Sequence, residues 1–260
     1  MKQIIGRSMA ILIFFIAHWF LSLFTQTFFY HRYASHAAFT MSRSWERFFY
    51  ILSYVTQGSS YMSPRAYATM HRMHHAYTDT EKDPHSPRHT KNVYAMMMRT
   101  NKIYLGIYNH TLAVEEKFMK NVPDWPGFDK WALTWKSSIF WSVAYIGYYL
   151  LFATAWWMYL LIPVHILMGP VHGTIVNWFA HKYGYRNFNV NNTSKNLLPV
   201  DVIMLGEAYH NNHHKYPSSV NFGGVRWHEI DPIYPIIRLL HWLKIIRIKN
   251  ISLKRVEVEF

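Results

Sequence analysis

Residues 8–36 read SMAILIFFIAHWFLSLFTQTFFYHRYASH, an apolar run that ends in a pair of histidines. Between Arg7 and Arg32 lie 24 residues without a single Asp, Glu, Lys or Arg. A helix of about 20 apolar residues is long enough to cross the hydrocarbon core of a bilayer. The stretch therefore predicts a membrane span over residues 8–30. Because it is longer than the apolar part of a secretory signal, we expect the chain to retain it as an anchor.

A second block without charged residues lies between Lys136 and Lys182 and contains 45 residues. This length suffices for two crossings, so the block predicts a hairpin of spans over residues 137–155 and 156–179. The stretch Trp45–Tyr61 is apolar over too short a length to cross. It predicts a re-entrant or interfacial helix whose two ends stay on the same side of the membrane.

The rest of the sequence predicts a sizeable polar cap. Mean hydropathy is only −0.08, which is low for a membrane protein. From Val225 onward, apolar residues near helical spacing face basic residues, a pattern typical of an interfacial helix. The predicted fold class is thus an all-α integral membrane protein. We expect one domain, residues 1–260, with about three transmembrane helices and a helical cap formed by residues 31–136 and 180–260.

The charge distribution predicts the orientation of this cap. Lys and Arg total 27 against 14 Asp and Glu, a net charge of +13, and most of the cations fall outside the spans. The positive-inside rule makes the cap cytoplasmic and places the N-terminus outside, although Lys2 and Arg7 are exceptions to it. A basic surface suits anionic lipid, and no motif supports a nucleic-acid partner. The chain has no cysteine, which excludes disulfides, thiolate metal sites and iron–sulfur clusters.

Nine of the 17 histidines fall in four short windows: HRYASH at 31–36, HRMHH at 71–75, NWFAH at 177–181 and HNNHH at 210–214. In an α-helix, side chains three or four positions apart share a face, so the second and fourth windows each present converging imidazoles. His31 and His36 are five apart and converge less well on an α-helical reading. Each window lies near the end of a predicted span, so all four can meet at one membrane surface.

The number of imidazoles indicates more than one metal ion. A tetrahedral zinc site takes at most four ligands, whereas two octahedral ions with open positions could use nine nitrogens and still admit water or dioxygen. Imidazole binds zinc, copper, iron and nickel, so the residue types alone do not select the metal.

The four windows, in this order and with Asp83-Pro84-His85 and the flank of GEAYHNNHH, resemble the histidine boxes of the membrane-bound fatty acyl desaturases. That family includes stearoyl-CoA desaturase and the bacterial and plant acyl-lipid Δ9 enzymes, and the resemblance covers roughly residues 10–250. It implies a centre of two iron ions. The ligands it implies are His31, His36, His71, His74, His75, His181, His210, His213 and His214, with Asn177 reaching one iron through water.

The resemblance also implies the reaction. Dioxygen is the co-substrate, and two electrons come from a separate donor, ferredoxin-like or cytochrome-type, with its reductase. Two hydrogens leave neighbouring CH2 groups of a saturated acyl chain, giving a cis double bond, with Δ9 expected, and two waters. The acyl chain would be carried as acyl-CoA, acyl-ACP or a glycerolipid and held in an apolar tunnel. We expect an oxidoreductase of the bacterial inner membrane whose active site faces the cytoplasm.

Two other functions remain open on the residues alone. A membrane di-iron fatty acyl or alkane hydroxylase would use similar histidines to insert oxygen. A metal transporter or sensor would place ionisable ligands near the membrane midplane, whereas the windows here lie at span ends.

Two departures from the family's pattern lead to further predictions. Ala208 replaces the second glycine of the family's Gly-Glu-Gly, which should be tolerated unless that position needs a positive φ. A single span precedes His31, whereas animal relatives have an additional one, so a homo-oligomer could supply the missing part of the wall.

Several polar residues outside the windows have predicted roles. Candidates to orient a ligand histidine are Asp83, His85, Asp201 and Glu207. We expect the histidines within the spans to pack or hydrogen-bond inside the bundle; they are His18, His165 and His172. Candidates to bind a phosphate-bearing headgroup or carrier are Arg43, Arg47, Arg65 and Arg72.

Overall fold

A computed structural model describes residues 2–249, and this part of the chain is mostly helical, with irregular segments over 182–209 and 216–232. The helices are α1 (Lys2–Thr25), α2 (Arg43–Gln57), α3 (Pro64–Tyr77), α4 (Val93–Tyr108), α5 (Glu116–Met119), α6 (Pro126–Ala132), α7 (Trp135–Phe152), α8 (Ile162–Ile166), α9 (Met168–Asn177), α10 (His210–Lys215) and α11 (Ile233–Trp242). A π-helix, Gln26–Ser35, continues α1. Two short antiparallel strands, β1 (Phe39–Met41) and β2 (Ile246–Ile248), pair Phe39 with Ile248.

The first predicted span lies inside one long apolar helix. Within residues 2–249, the segment Ile5–Ser35 is the single helix that is long and apolar enough to cross a membrane unbroken. Only 28% of its apolar window is buried, and residues such as Ile13 remain largely exposed. A core helix of a soluble protein would bury that surface, so the exposure suits a helix that faces lipid.

The residues of the predicted hairpin form α7 and a bent pair of helices; among the described residues the bent pair is apolar enough to cross a membrane, whereas α7 is not. The first member corresponds to α7, and the second is divided into Trp156–Ile166 and Met168–His181, which meet at 72°. Pro170 has no N–H to donate to the carbonyl of Ile166, four residues earlier. The hydroxyls of Ser59 and Ser60 donate to that carbonyl instead, each at 2.9 Å. The backbone group left free at the bend is therefore satisfied inside the protein, as a helix break in a membrane requires.

The short apolar stretch near residue 50 forms α2. The side chain of Ser42 caps its start by accepting the N–H of Trp45, and Gly58 ends it with φ +53°. A Cβ at Gly58 would lie 1.7 Å from the Tyr145 hydroxyl, so the turn requires glycine for space as well as for conformation. Fifteen residues of helix extend about 22 Å, less than the hydrocarbon thickness of a bilayer.

The helix predicted from Val225 onward is shorter than the pattern indicated. The helical part is α11, which ends at Trp242, and Lys244 adopts a left-handed φ of +59°. Ile246, assigned to the helix from its spacing, lies in β2 and pairs with Met41. β1 follows the first histidine window directly. Its pairing with β2 outweighs the helical pattern of the sequence and holds the end of the cap next to that window.

Candidate metal centre

The first histidine window lies in the π-helix. In this helix each N–H bonds five residues back, and the N–H of His36 donates to the carbonyl of His31 at 3.2 Å. Five residues therefore make about one turn, and the two rings lie with their centroids 5.0 Å apart. The expectation that this pair converges poorly is wrong because it assumed α-helical periodicity.

The second and fourth windows lie on α3 and α10, and each helix contributes to two groups of imidazoles. Ser63 caps α3, with Pro64 at its first position, so the helix begins two turns before its histidines. On α3, His71 and His75 face one group and His74 the other. On α10, His213 faces the first group while His210 and His214 face the second.

The first group, the five-histidine cluster, consists of His31, His36, His71, His75 and His213. Its members approach one another through Nε2. The distances between neighbouring Nε2 atoms are 2.9 Å for His31 and His213, 2.9 Å for His213 and His75, 3.0 Å for His75 and His71, and 2.9 Å for His71 and His36.

The second group, the four-histidine cluster, consists of His74, His181, His210 and His214. Its Nε2 atoms also converge, at 2.9 Å between His181 and His210, 3.0 Å between His210 and His214, and 3.2 Å between His214 and His74. The structure thus brings together all nine histidines named from the sequence, in two groups rather than one.

The chemistry and spacing of both clusters fit a bound metal ion. Burial lowers the pKa of His71, His74 and His210 well below the ordinary value, so each is neutral and keeps a lone pair for a metal. With a metal–nitrogen bond of about 2.1 Å, adjacent ligands lie roughly 3.0 Å apart in an octahedron and roughly 3.4 Å apart in a tetrahedron. The observed spacings match the octahedral value.

Buried acids hold two of the ligand histidines in one tautomer. Nδ1 of His31 donates to Glu207 at 2.7 Å, and Nδ1 of His74 donates to Asp83 at 2.9 Å. A carboxylate can only accept, so the ring proton sits on Nδ1 and leaves Nε2 for the metal. Asp83 and Glu207 therefore take the orienting positions expected from the sequence.

The other two orienting candidates behave differently. Asp201 touches no histidine; its carboxylate accepts the backbone N–H groups of Met204, Gly206 and Ala208 and shapes the turn before α10. The ring of His85 packs against that of His74 at a tilt of 34°, with centroids 4.2 Å apart, and neither of its ring nitrogens has a hydrogen-bond partner within the described residues.

Sequence reasoning missed the charge network behind Glu207. The guanidinium of Arg32 is fully buried, donates to Asp231 at 2.6 Å and stacks over the ring of Phe222 at 3.8 Å. A second Arg32 nitrogen lies 3.6 Å from Glu207. Two features of the sequence could have predicted this network: Arg32 lies directly beside His31, and Asp231 lies in the segment WHEID. Opposite charges that are buried at one site have to pair.

Asp231 also explains one of the two small residues before the fourth window. Gly206 has φ +90°, and a Cβ there would lie 2.5 Å from a carboxylate oxygen of Asp231. Ala208 is also buried, but its φ is not positive. The backbone at 208 therefore does not require glycine, which agrees with the expectation for that replacement.

Sequence reasoning also missed the contacts of His181. Its Nδ1 lies 3.0 Å from the hydroxyl of Thr193, whose backbone N–H donates to Asp79 at 2.5 Å. Asp79 lies four residues after the second window. Nothing in the local sequence predicts its contact with Thr193, which lies more than 100 positions later.

The four arginines proposed for phosphate binding have mostly structural contacts. Arg72 donates to the backbone carbonyls of Ala34, Ser35 and Lys120, so its donors hold the first window against α3. Arg47 stacks over Trp125 at 3.9 Å. The remaining two pair with acids, Arg43 with Glu46 and Arg65 with Asp124. For Arg72 in particular, headgroup binding is not supported.

The histidines within the predicted spans form a separate polar group. Nδ1 of His18 and Nδ1 of His165 lie 2.6 Å apart, and Nε2 of His165 lies 2.9 Å from the hydroxyl of Tyr149. His172 is equally buried but has no hydrogen-bond partner among the described residues. His172 packs edge-on against the ring of Trp19, with centroids 4.5 Å apart, so hydrogen bonding describes the first two histidines and packing describes the third.

A cavity of about 550 Å³ reaches both clusters. His31, His71 and His210 line it, and so does Asn177, the last residue of α9. Most of the remaining wall is apolar and comes from α3, α4 and α9, including Met70, Met97, Met98, Leu167 and Val176. Such a space is of the size that binds small apolar ligands, with the imidazoles as its polar end.

Comparison with known proteins agrees with this geometry. The family model described as fatty acid desaturase matches residues 8–240. The chain is 28% identical to the Delta-9 desaturase-like 5 protein of Arabidopsis thaliana, over 84% of this chain and 69% of that protein. It is also 28% identical to the sn-1 stearoyl-lipid 9-desaturase of Anabaena variabilis, over 82% and 74%. With the icosanoyl-CoA 5-desaturase of Limnanthes douglasii it shares 30% identity, over 81% and 56%.

The family match covers most of the chain and contains all four histidine windows, so the resemblance noted from the sequence is confirmed. This chain belongs to the fatty acid desaturase family, membrane-associated oxidoreductases that act on fatty acyl chains.

Proposed function

We propose that the protein is an O2-dependent di-iron acyl desaturase that introduces a cis Δ9 double bond into a saturated fatty acyl chain. The observation that carries the proposal is the convergence of nine imidazoles into two clusters, each of which reaches one apolar cavity through His31 and His71 or through His210. Five imidazoles would hold one iron, and four would hold the other with Asn177 acting through water. Family membership argues against the transporter or sensor considered from the sequence.

Two bound iron ions would supply the power to activate dioxygen with two external electrons and to remove two hydrogens from the acyl chain. The residues of the chain fix where this happens. Glu207 and Asp83 hold His31 and His74 with Nε2 turned inward. The ion pair of Arg32 with Asp231 stabilises the buried charge beside Glu207.

The cavity wall would select and position the acyl chain. Its side chains from α3, α4 and α9 exclude water and offer mainly dispersion contacts to methylene groups. Because an unactivated CH2 has no group to hold, its position beside the clusters depends on the shape of this wall. The Δ9 position rests on the names of similar proteins, of which two specify position 9 and one position 5.

We propose the electron donor, the membrane and the oligomeric state that the sequence predicts. Electrons would come from a separate ferredoxin-like or cytochrome-type donor with its reductase. The α1 span and the α7–α9 hairpin would anchor the chain in a bacterial inner membrane, with the clusters facing the cytoplasm. A homo-oligomer could complete the wall.

Expression in a desaturase-deficient bacterium tests the proposal, with total fatty acids analysed by gas chromatography–mass spectrometry. We expect a new monoene that has lost two hydrogens and carries its double bond at carbon 9. The double variant His74→Ala, His75→Ala should abolish it, whereas His110→Ala, which changes an exposed histidine outside both clusters, should retain it. A product that has gained one oxygen would instead identify a hydroxylase, the alternative left open by the sequence.

A further inference from the structure

The cavity that reaches both clusters is rich in methionine. Five of the 13 Met residues of the chain line it, although the cavity is lined by only 26 of the 260 residues. These five are Met62, Met70, Met97, Met98 and Met204. Two of them lie on α4, and the others come from α3, from the turn before it and from the turn before α10. No single run of sequence therefore accounts for the grouping.

The apolar character of the wall does not by itself require methionine. Leu167 and Val176 supply apolar surface in the same wall without a sulfur atom. A methionine differs from them in its flexible, unbranched side chain and in its thioether, which peroxides oxidise to a sulfoxide. Five thioethers thus line the space in which, under the proposed function, dioxygen is reduced.

This space can generate a peroxide whenever the acyl chain is absent. With an acyl chain present, dioxygen and two external electrons remove two hydrogens from it. Without one, the same two electrons and two protons from water convert dioxygen to hydrogen peroxide. Because His31, His71 and His210 line the same cavity as the methionines, peroxide formed there meets thioethers before it reaches the solution.

Packing separates the methionines that have room to react from those that do not. Met62, Met70 and Met204 each pack in or against a cluster of buried apolar side chains. An oxygen atom added to a tightly packed sulfur would force its neighbours to move. Within the described residues, Met97 and Met98 belong to no such cluster, and Met98 is 50% exposed. The two methionines of α4 should therefore react first.

We propose that Met97 and Met98 are oxidation sites, whose thioethers take up oxygen from hydrogen peroxide formed in the cavity when no acyl chain occupies it. This proposal rests on the proposed desaturase function and adds a regulation of the same site. In the oxidation step the sulfur lone pair attacks one peroxide oxygen, the O–O bond breaks, and the second oxygen leaves as water. The products are one methionine sulfoxide and one water for each peroxide.

The sulfoxide changes what the wall offers to an acyl chain. Its S–O group is a strong hydrogen-bond acceptor, and methylene groups have no donor for it. Covering this acceptor with an acyl chain removes it from water without compensation, which weakens binding about tenfold. Turnover without substrate would thus lower the affinity of the cavity for its substrate.

Peptide mass spectrometry tests the modification. The iron-loaded full chain in detergent is reduced with dithionite, freed of excess reductant and exposed over several cycles to dioxygen of a heavy oxygen isotope, with catalase in the solution. We expect heavy sulfoxide at Met97 and Met98. The controls Met96, which is buried, and Met119, which is 36% exposed, are not among the described residues of the wall and should stay unlabelled. The zinc-loaded chain, which has no redox chemistry, should gain no heavy oxygen.

The location of the label decides the outcome. Equal labelling of Met98 and Met119 would overturn the proposal, because it would show a peroxide that acts from the solution. Dioxygen uptake without heavy oxygen at Met97 or Met98 would also overturn it.

Formation of a monoene separates this proposal from the proposed function. A monoene without sulfoxide on α4 would refute the oxidation sites and leave desaturation intact. Sulfoxide on α4 without a monoene from stearoyl-CoA, stearoyl-ACP or distearoyl phosphatidylglycerol would refute the desaturase and keep the oxidation sites. A chain that takes up no dioxygen would refute both.

Binding of parinaric acid, a fluorescent fatty acid, measures the effect on the wall without turnover. In the zinc-loaded chain, Met98→Gln places an amide where the sulfoxide would form, and we expect about tenfold weaker binding. Met119→Gln is the matched control and should bind as the wild type. Unchanged affinity in Met98→Gln would contradict the proposed effect on acyl binding.

The double variant Met97→Leu, Met98→Leu removes both thioethers and keeps this part of the wall apolar. Each chain is compared with its own starting affinity for parinaric acid, before and after the cycles with dioxygen. We expect the affinity of the wild type and of Met119→Leu to fall about tenfold and that of the double variant to change less than about twofold. An equal fall in the double variant would assign the damage to other groups and overturn the proposal.

Discussion

The two histidine clusters differ in number and in what surrounds them. The five-histidine cluster draws on the π-helix, α3 and α10, and is supported by Glu207 together with the Arg32–Asp231 ion pair. The four-histidine cluster has one imidazole fewer and is supported by Asp83 and by the hydroxyl of Thr193. Asn177 lies on the wall of the cavity that reaches both clusters. Under the proposed function, imidazoles alone would hold one metal, whereas the other would be held by four imidazoles and the weaker, water-mediated contact of Asn177.

Removing one imidazole from either cluster should have the largest effect. We expect His213→Ala and His210→Ala each to abolish desaturation and to lower bound iron from two ions per chain towards one. Each variant removes a nitrogen ligand from a site built around it, so the damaged cluster competes less well with water and chelators, and the four-histidine cluster, left with three imidazoles, should lose its ion more completely. Iron per chain, measured on purified protein by plasma mass spectrometry, checks this.

The variant His110→Ala controls for the loss of any histidine. If both cluster variants kept two ions per chain, the assignment of two separate metal sites would fail. If either variant lost both ions, the clusters would be one cooperative unit rather than two.

The orienting acids should come next in size. Glu207→Gln and Asp83→Asn keep the shape of the side chain but remove the charge that holds Nδ1–H of His31 and His74. Partners of this kind are worth about 10- to 100-fold in metal affinity or activity. We expect Glu207→Gln to be the more damaging, because it also leaves Arg32 without one of its two buried acids.

Chelator titration of the iron-loaded variants measures both effects. Glu115→Gln, which changes an exposed acid outside both clusters, is the control and should behave as the wild type. Equal retention of iron by Glu207→Gln and the control would show that the carboxylate does not orient His31.

The histidines that the structure brings together were predictable from the sequence, whereas their grouping was not. Imidazoles at spacings of three and four identify one face of a helix, so the windows at 71–75 and 210–214 were predictable. The pair His31 and His36 depends on the π-helix, whose five-residue periodicity nothing in the apolar run indicates. The division into two clusters arises from how α3 and α10 pack, which is set by contacts across the chain rather than by local spacing.

The same limit applies to the spans. Hydropathy finds apolar segments because transfer into lipid is a sum over residues. The bend near Leu167 depends on Pro170 and on two serines more than 100 positions earlier, and β2 replaced a predicted helix through pairing with β1. Buried pairs such as Arg32 and Asp231 are distant in sequence and satisfy each other only after folding.

The turn before α10 allows a test on stability. In Gly206→Ala the new methyl would meet Asp231 at a positive φ, so we expect a loss of about 1–3 kcal/mol in the free energy of unfolding. Ala208→Gly adds backbone freedom and removes one buried methyl group, and should cost about 1 kcal/mol. Thermal unfolding of the detergent-solubilised pair ranks the two. A larger loss for Ala208→Gly would contradict the account of this turn, and iron content of Gly206→Ala reports whether Asp231 moves away from Arg32.

Substitution of Asn177 should have the smallest effect on iron binding. It also tests most directly whether the two clusters differ in their ligands. Asn177→Leu keeps the approximate volume and removes the polar end, so a ligand held through water would be lost. A water-mediated contact is worth about 1 kcal/mol, so we expect iron to leave the four-histidine cluster about fivefold faster in chelator and the five-histidine cluster to be unaffected. Asn177→His should reverse this by adding a fifth imidazole, with slower iron release and lower desaturation, because the position for water or dioxygen is then filled. Faster release from both clusters in Asn177→Leu would mean that the asparagine supports the cavity wall rather than one metal.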